Sequence, residues 1–230
     1  EKLVAVSSDL TQDRLGMDEA TYNILTNEVD IIINSAATVV FDEPLDVALI
    51  QNTLGPKRIV EFARACRNAS LVHVSTAYVS GLQTGKIEER TPEPNATAAQ
   101  MLGTSAGVDF DLDREIEAIQ AHCAEVERAS HEPVRLAEFD RILVKQDHGK
   151  RVTELRRTHQ VEALRLRWKR EQLVARGSER ARELGWHDSY TFTKAMGERM
   201  IVKTRGDLPV VIVRPSVIES SLSDPEPGWL

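Results

Sequence analysis

The stretch VDIIINSAA at residues 29–37 constrains the fold of this chain more than any other. Interrupted only by Asp30, its β-branched residues run on without apolar–polar alternation and then give way to small and polar residues. A short continuous run of that kind predicts a strand buried on both faces of a parallel sheet. Three more runs resemble it: LVAVSSDL at 3–10, LVHVST at 71–76 and PVVIVRP at 209–215. Helical patterns separate them, at residues 18–28, 44–68 and 187–204. In the second, Leu45, Leu49, Asn52, Pro56, Ile59 and Ala63 recur at helical spacing, with a kink expected at Pro56. Strands alternating with helices predict an α/β fold with a doubly wound, Rossmann-like parallel sheet. Such sheets bind ligands at the carboxyl ends of their strands. Asp9, residues 34–37, Ser75 with Thr76, and residues 215–218 all fall at those ends.

Between Gly81 and Trp186 the pattern changes. A Pro/Thr/Ala-rich loop, TPEPNATAAQ, leads to a helix that Asp111 can cap, with Leu112, Ile116, Ile119, Cys123 and Val126 in one stripe. Pro133 starts another helix, with Phe139, Ile142 and Leu143 apolar and an end expected near Gly149. Residues 150–182 hold eleven Lys and Arg against four Glu, a basic segment in a chain of net charge -7. Two readings of that charge stand. It is a solvated helix face, or a surface that attracts a phosphate-bearing cofactor, an acidic carrier protein or an anionic membrane. The expected division is a partial dinucleotide-binding domain at 1–83, a helical insertion at 84–186, and the rest of the first domain at 187–230.

The acidic balance excludes a nucleic-acid footprint for the chain as a whole. Cys66 and Cys123 lack Cys-x-x-Cys spacing, fit a reducing compartment and read as buried thiols. The six histidines have no metal-ligand spacing, so no metal site is expected. No apolar run approaches the ~18 residues of a membrane span.

The chemistry concentrates in YTFTK at 190–194. Tyr190 and Lys194, four apart, share one helix face. A phenol of pKa ~10 is a poor proton donor or acceptor at neutral pH. A nearby ammonium, or the positive ring of an oxidised nicotinamide, stabilises the phenolate and lowers that value. Lys194 can also grip ribose hydroxyls, and a hydroxyl from Thr76 or Ser75 would complete a donor pair for a developing oxyanion.

With these residues the chain resembles an extended short-chain dehydrogenase/reductase, and most of all the male-sterility-type reductase domain of the fatty acyl-CoA reductases. The matching stretches are SSDLTQDRLGM at 7–17, residues 29–64 beginning VDIIINSAATVVFDE, LVHVSTAYVSG at 71–81, DSYTFTKAMGERM at 188–200 and VVIVRPSVIESS at 210–221. The Tyr-x-x-x-Lys element is common to the superfamily; the wording around it is more specific.

The resemblance implies that Thr76 is the catalytic hydroxyl, with Ser75 close second, Tyr190 the acid and Lys194 the ribose clamp. Asp9 and Leu10 would border the adenine, while Asn34, Ser35, Ala36 and Ala37 line the cofactor. Pro215, Ser216 and Val217 would lie against the nicotinamide. Asn52 matches the family's helix asparagine, read as structural or as part of a proton relay. The family's G-x-x-G-x-x-G loop is absent, so the first two strands of the sheet are expected before Glu1, in a chain cut from a longer protein. The separation of 114 positions from Thr76 to Tyr190 resembles the acyl-CoA reductases and not the sugar-nucleotide epimerases. The implied activity is NADPH-dependent reduction of a long-chain fatty acyl-CoA or acyl-carrier-protein thioester to aldehyde or alcohol. NADP over NAD rests on the resemblance alone. The expected setting is cytoplasmic, with peripheral membrane contact through the basic helices. Two rival readings remain: a related enzyme acting on a sugar nucleotide or a sterol, and a non-catalytic dinucleotide-binding scaffold.

Overall fold

The computed structural model describes residues 3–101, 103, 110–146 and 153–228. In chain order the elements are α1 (Glu19–Glu28), β1 (Ile31–Asn34), α2 (Leu45–Leu49), α3 (Gly55–Ala65), β2 (Ser70–Val74), the one-turn α4 (Ala98–Met101), α5 (Leu112–Ser130), α6 (Pro133–Gln146), α7 (Glu154–Glu183), α8 (Ser189–Thr204) and β3 (Val210–Val213). The strands form a parallel sheet in the order β1-β2-β3, with Asn34 opposite His73 and His73 opposite Ile212. Their carboxyl ends therefore share one edge.

Strand alternation sends Ile32, Leu71 and Val210 to one face, where they pack against Ile59, Val60 and Ala63 of α3 and Ile201 of α8. Each such side chain removed from water contributes roughly 1.5–3 kcal/mol. Ile31, Ile33, Val211 and Val213 point the other way and are exposed. This corrects the expectation that 29–33 is buried on both faces: among the described residues, helices cover only one. A second correction concerns residues 3–10. They form no strand, and Leu3 and Val4 are exposed, because no described strand lies beside them to complete a ladder.

The kink expected at Pro56 takes the form of a π-helical turn, Ile50–Leu54, that joins α2 to α3. Pro56 has no N–H to give the Asn52 carbonyl, its partner in a regular α-helix. Here the Gly55 amide reaches back to Ile50 O instead. The Asn52 carbonyl lies against α8 at Gly197, where any Cβ would overlap it. Gly177 of α7 gives a matching close approach to Ser189 on another side of α8. So clasped, residues 189–201 are buried without exception, although several are polar.

The helices of 98–183 share their core with the rest. Leu112, Ile116 and Ile119 of α5 and Leu173 of α7 join Leu45 and Leu49 of α2 and Phe192 and Met196 of α8. The chain leaves and re-enters at one place, since Leu82 N donates to Gly185 O (3.0 Å) and Ala99 N to Leu184 O (3.1 Å). The α5 stripe and the Asp111 cap are as expected, Asp111 Oδ1 accepting from the Asp113 and Arg114 amides. The end expected near Gly149 lies outside the described residues. Along α7 the basic side chains are mostly paired: Arg157 with Asp140, Arg165 with Glu162, Arg167 with Glu171, Lys169 with Glu127, Arg170 with Asp42, Arg176 with Glu179 and Arg180 with Glu115. That compensation removes much of the positive field. No described helix is long and apolar enough to cross a membrane.

Candidate active site

α8 begins with a capping box that the sequence carries as DSYT. Asp188 Oδ1 accepts from Thr191 N (2.8 Å) and Thr191 Oγ1 from Asp188 N (3.3 Å). This satisfies amides of the first turn and fixes where Tyr190 starts its helix. Thr193 Oγ1 receives the Asn52 amide (3.2 Å), and Thr193 O receives the Thr53 hydroxyl (2.9 Å). The clasp that orders α8 thus aims Tyr190 and Lys194 at the carboxyl end of β2.

There the Tyr190 hydroxyl lies beside the Thr76 side chain, close enough for Thr76 to act on its pKa. Thr76 is itself buried, and its Oγ1 accepts from Tyr78 N (3.3 Å) to cap the short 3-10 turn that follows. Phe41 stands edge-on to the Tyr190 ring, centroids 5.5 Å apart. Burial pushes the Tyr190 phenol above its ordinary value; Asp188 acts the same way, and only Thr76 opposes it. The lowered phenol pKa expected from a neighbouring ammonium is therefore not found. Desolvation outweighs the influence of Thr76, and the phenol stays protonated at neutral pH.

Lys194, with 2% of its surface exposed, donates to the Val74 carbonyl at 2.9 Å. Burial pushes its amine down to about 8, with Glu198 partly offsetting. Ser75, between Val74 and Thr76, has a buried Oγ without a hydrogen-bond partner. A desolvated hydroxyl left unpaired beside a phenol–hydroxyl pair is a position that a polar ligand group would complete.

The neighbouring strand ends lie alongside. Ser75 N donates to Val213 O (2.7 Å) and Ala77 N to Pro215 O (2.8 Å), so the segment after β3 follows β2 past the site. Ser216 and Val217 are exposed there. On the other side Asn34 is buried while Ser35 and Ala36 are exposed and Ala37 is half-buried. Asn52 is fully enclosed: its Oδ1 accepts from Thr38 N (3.1 Å) and its Nδ2 donates to Thr38 O (3.2 Å) and to Thr193. Its bonds tie the 34–38 segment to α8. Asp9 and Leu10 are held by other partners. Asp9 accepts from Thr11 N (2.8 Å) and Gln12 Nε2 (2.7 Å), and Leu10 O from Arg58 of α3 (3.2 Å). Bonding from the Thr11 amide holds the carboxyl of the half-buried Asp9 below its usual range.

Three contributors were not singled out from sequence. Phe41 gave no signal. Glu198, fully buried, accepts two bonds from Arg214 (2.9 and 2.6 Å) and so anchors the residue before Pro215. His73 sits in phase with Leu71 and Ser75, an alternation that does place it inside.

These residues fit the nicotinamide–ribose end of a dinucleotide: paired hydroxyl donors, an unpartnered buried hydroxyl, and a buried lysine with N–H groups to spare. Comparison with known proteins bears on that fit. The model of an NAD-binding family described as "Male sterility protein" matches residues 1–230. "Fatty acyl-CoA reductase 2, chloroplastic" of Arabidopsis thaliana is 37% identical over 233 residues, covering 100% of this chain and 32% of that protein. "Alcohol-forming fatty acyl-CoA reductase" of Simmondsia chinensis is 31% identical over 232 residues, covering 100% of this chain and 39% of that protein. The chain thus spans 32% to 39% of these relatives' length.

Proposed function

The chain belongs to the male sterility protein family of NAD-binding domains, and from that premise we propose that it carries the reductase site of an enzyme acting on long-chain fatty acyl thioesters. The observation that supports this most is the convergence of Tyr190 and Thr76 beside the buried Lys194, at the carboxyl ends of three parallel strands. The bound dinucleotide supplies the hydride. Thr76 and Tyr190 donate to the thioester oxygen as negative charge gathers on it, each well-placed donor contributing ~3 kcal/mol to the transition state. The raised phenol pKa suits Tyr190 to this work, because the proton stays on oxygen until the substrate needs it. Proton transfer from Tyr190 gives a hemithioacetal, which breaks its carbon–sulfur bond to release the thiol and an aldehyde. A retained aldehyde takes a hydride from a second dinucleotide and a second proton from Tyr190, which has been reprotonated from water, to become the alcohol. Lys194 keeps one N–H on Val74 and turns the others to ribose hydroxyls.

NADPH is the proposed reductant and acyl-CoA the proposed thioester, with carrier-bound acyl chains as the variant substrate. Membrane contact through α7 forms no part of the proposal, since its basic side chains are largely taken up by Glu and Asp. The test is NADPH consumption by the complete protein with palmitoyl-CoA, with the products identified. Tyr190→Phe is expected to lose reduction by at least ~100-fold and to keep dinucleotide binding. Undiminished turnover would remove Tyr190 from the chemistry. Turnover of a sugar nucleotide or sterol instead, or dinucleotide binding with no hydride transfer, would favour the two rival readings.

A further inference from the structure

His73 has no role in the reaction just described, yet it is a polar ring 1% exposed in the apolar layer between the sheet and its helices. Its Nε2 is buried without a hydrogen-bond partner, so the ring's polar work falls on Nδ1. That nitrogen lies 3.0 Å from Asn34 Nδ2, directly across the β1–β2 pairing. The direction of this bond follows from the other end of the amide. Asn34 Oδ1 accepts from Ala36 N at 3.3 Å, so the NH2 group is the end turned to the ring. An NH2 can only donate, which requires a lone pair on Nδ1 and the proton on Nε2. Burial, helped by the charge of Lys194, pushes the imidazole down to about 3 and keeps that lone pair available.

The ring therefore decides which way the Asn34 amide points. With a donor at Nδ1 the amide would turn over and set NH2 against the Ala36 N–H, two donors facing each other. Ser35 and Ala36, next along the chain, are exposed at the edge the three strand ends share. We propose that His73 is a positioning residue that, through Asn34, holds residues 34–37 in the shape that receives the dinucleotide. The inference rests on the dinucleotide-binding part of the function proposed above. It does not depend on the thioester chemistry.

The experiment uses the complete protein and reads NADPH binding at equilibrium by its fluorescence, alongside thioester kinetics. His73→Phe keeps a ring and removes the acceptor. It is expected to weaken NADPH binding about tenfold and leave the KM for palmitoyl-CoA unchanged. His73→Asn restores an acceptor near the position of Nδ1 and should recover binding to within about threefold. In the double variant with Asn34→Ala the losses should not add, because both changes break one bridge. Unchanged NADPH binding in His73→Phe, or additive losses, would overturn the proposal. Should His73→Phe fail to fold, Asn34→Ala alone must give the same dinucleotide-only loss, and unchanged binding there overturns it equally. A wild-type protein that binds NADPH but reduces no thioester sinks the proposed function while leaving this inference readable. One that binds no NADPH sinks both.

Discussion

Gly197 lies with its Cα against the backbone carbonyl of Asn52, so closely that a Cβ at this position would overlap the oxygen and stand 3.2 Å from the carbonyl carbon and 3.4 Å from Pro56 Cγ. The contact sets how near α8 comes to the π-helical turn, and thereby the height at which Tyr190 meets Thr76. In a helix interior, Gly→Ala ordinarily gains ~1 kcal/mol from propensity. Here the added carbon meets backbone that cannot rotate away, an overpacking that costs up to ~3 kcal/mol. Gly197→Ala is therefore expected to lose about 2 kcal/mol of stability in urea denaturation. A stabilised variant would mean that α8 can slide along α3.

The two adjacent hydroxyls at the end of β2 are in different states, and alanine substitution separates them. Thr76 lies beside the Tyr190 hydroxyl and caps a turn, whereas Ser75 Oγ is buried with no partner. Under the proposed function, Thr76→Ala lowers kcat about 100-fold, the effect of losing one oxyanion donor. Ser75→Ala removes an unsatisfied group, so stability should hold or rise slightly, and kcat should fall by less than about tenfold. Equal losses in kcat would move the catalytic hydroxyl to Ser75.

Lys194 ties stability to pH in an unusual direction. Its amine titrates at about 8 in the folded protein against 10.5 ordinarily, so between those values the unfolded chain binds more protons. Stability then rises with pH across the window, and below pH 8 the full cost of the buried charge is present. Relative to Lys194→Met, the wild type should gain about 2 kcal/mol in urea denaturation between pH 7.5 and pH 10. Grip on a ribose should move the other way, since the ammonium is lost over the same range. A constant difference between the two proteins would mean that Nζ is in contact with water.

Much of this was readable in advance, for reasons that differ by element. β1, β2 and β3 declared themselves because β-branched runs between helical patterns admit few other folds, and α5 because its stripe is long and its cap is an aspartate. The 3–10 run misled for a physical reason: its composition suits a strand, but a strand exists only through a neighbour. Ile31 and Ile33 misled similarly, because a continuous apolar run cannot say which layers will cover it. The Tyr190–Lys194 pair was visible as spacing, whereas the meeting of Tyr190 with Thr76 across 114 positions came from resemblance and not from any local pattern. The phenol's raised pKa was hidden because burial is set by the packing of α8 as a whole. His73 was within reach, since alternation in LVHVS turns it inward beside Leu71; its partner Asn34 required the strand register.

The bonds from Leu82 to Gly185 and from Ala99 to Leu184 sew together the two ends of a long detour in the chain. The start of α7 lies roughly five turns of helix before Leu173, away from the core that α7 shares with α2 and α8. Side chains at that end can change as substrates demand, while the seam and the core that α5 and α7 share with α2 and α8 must stay as they are. Seam and shared core together hold the reaction centre fixed and leave the outer end of α7 free to vary.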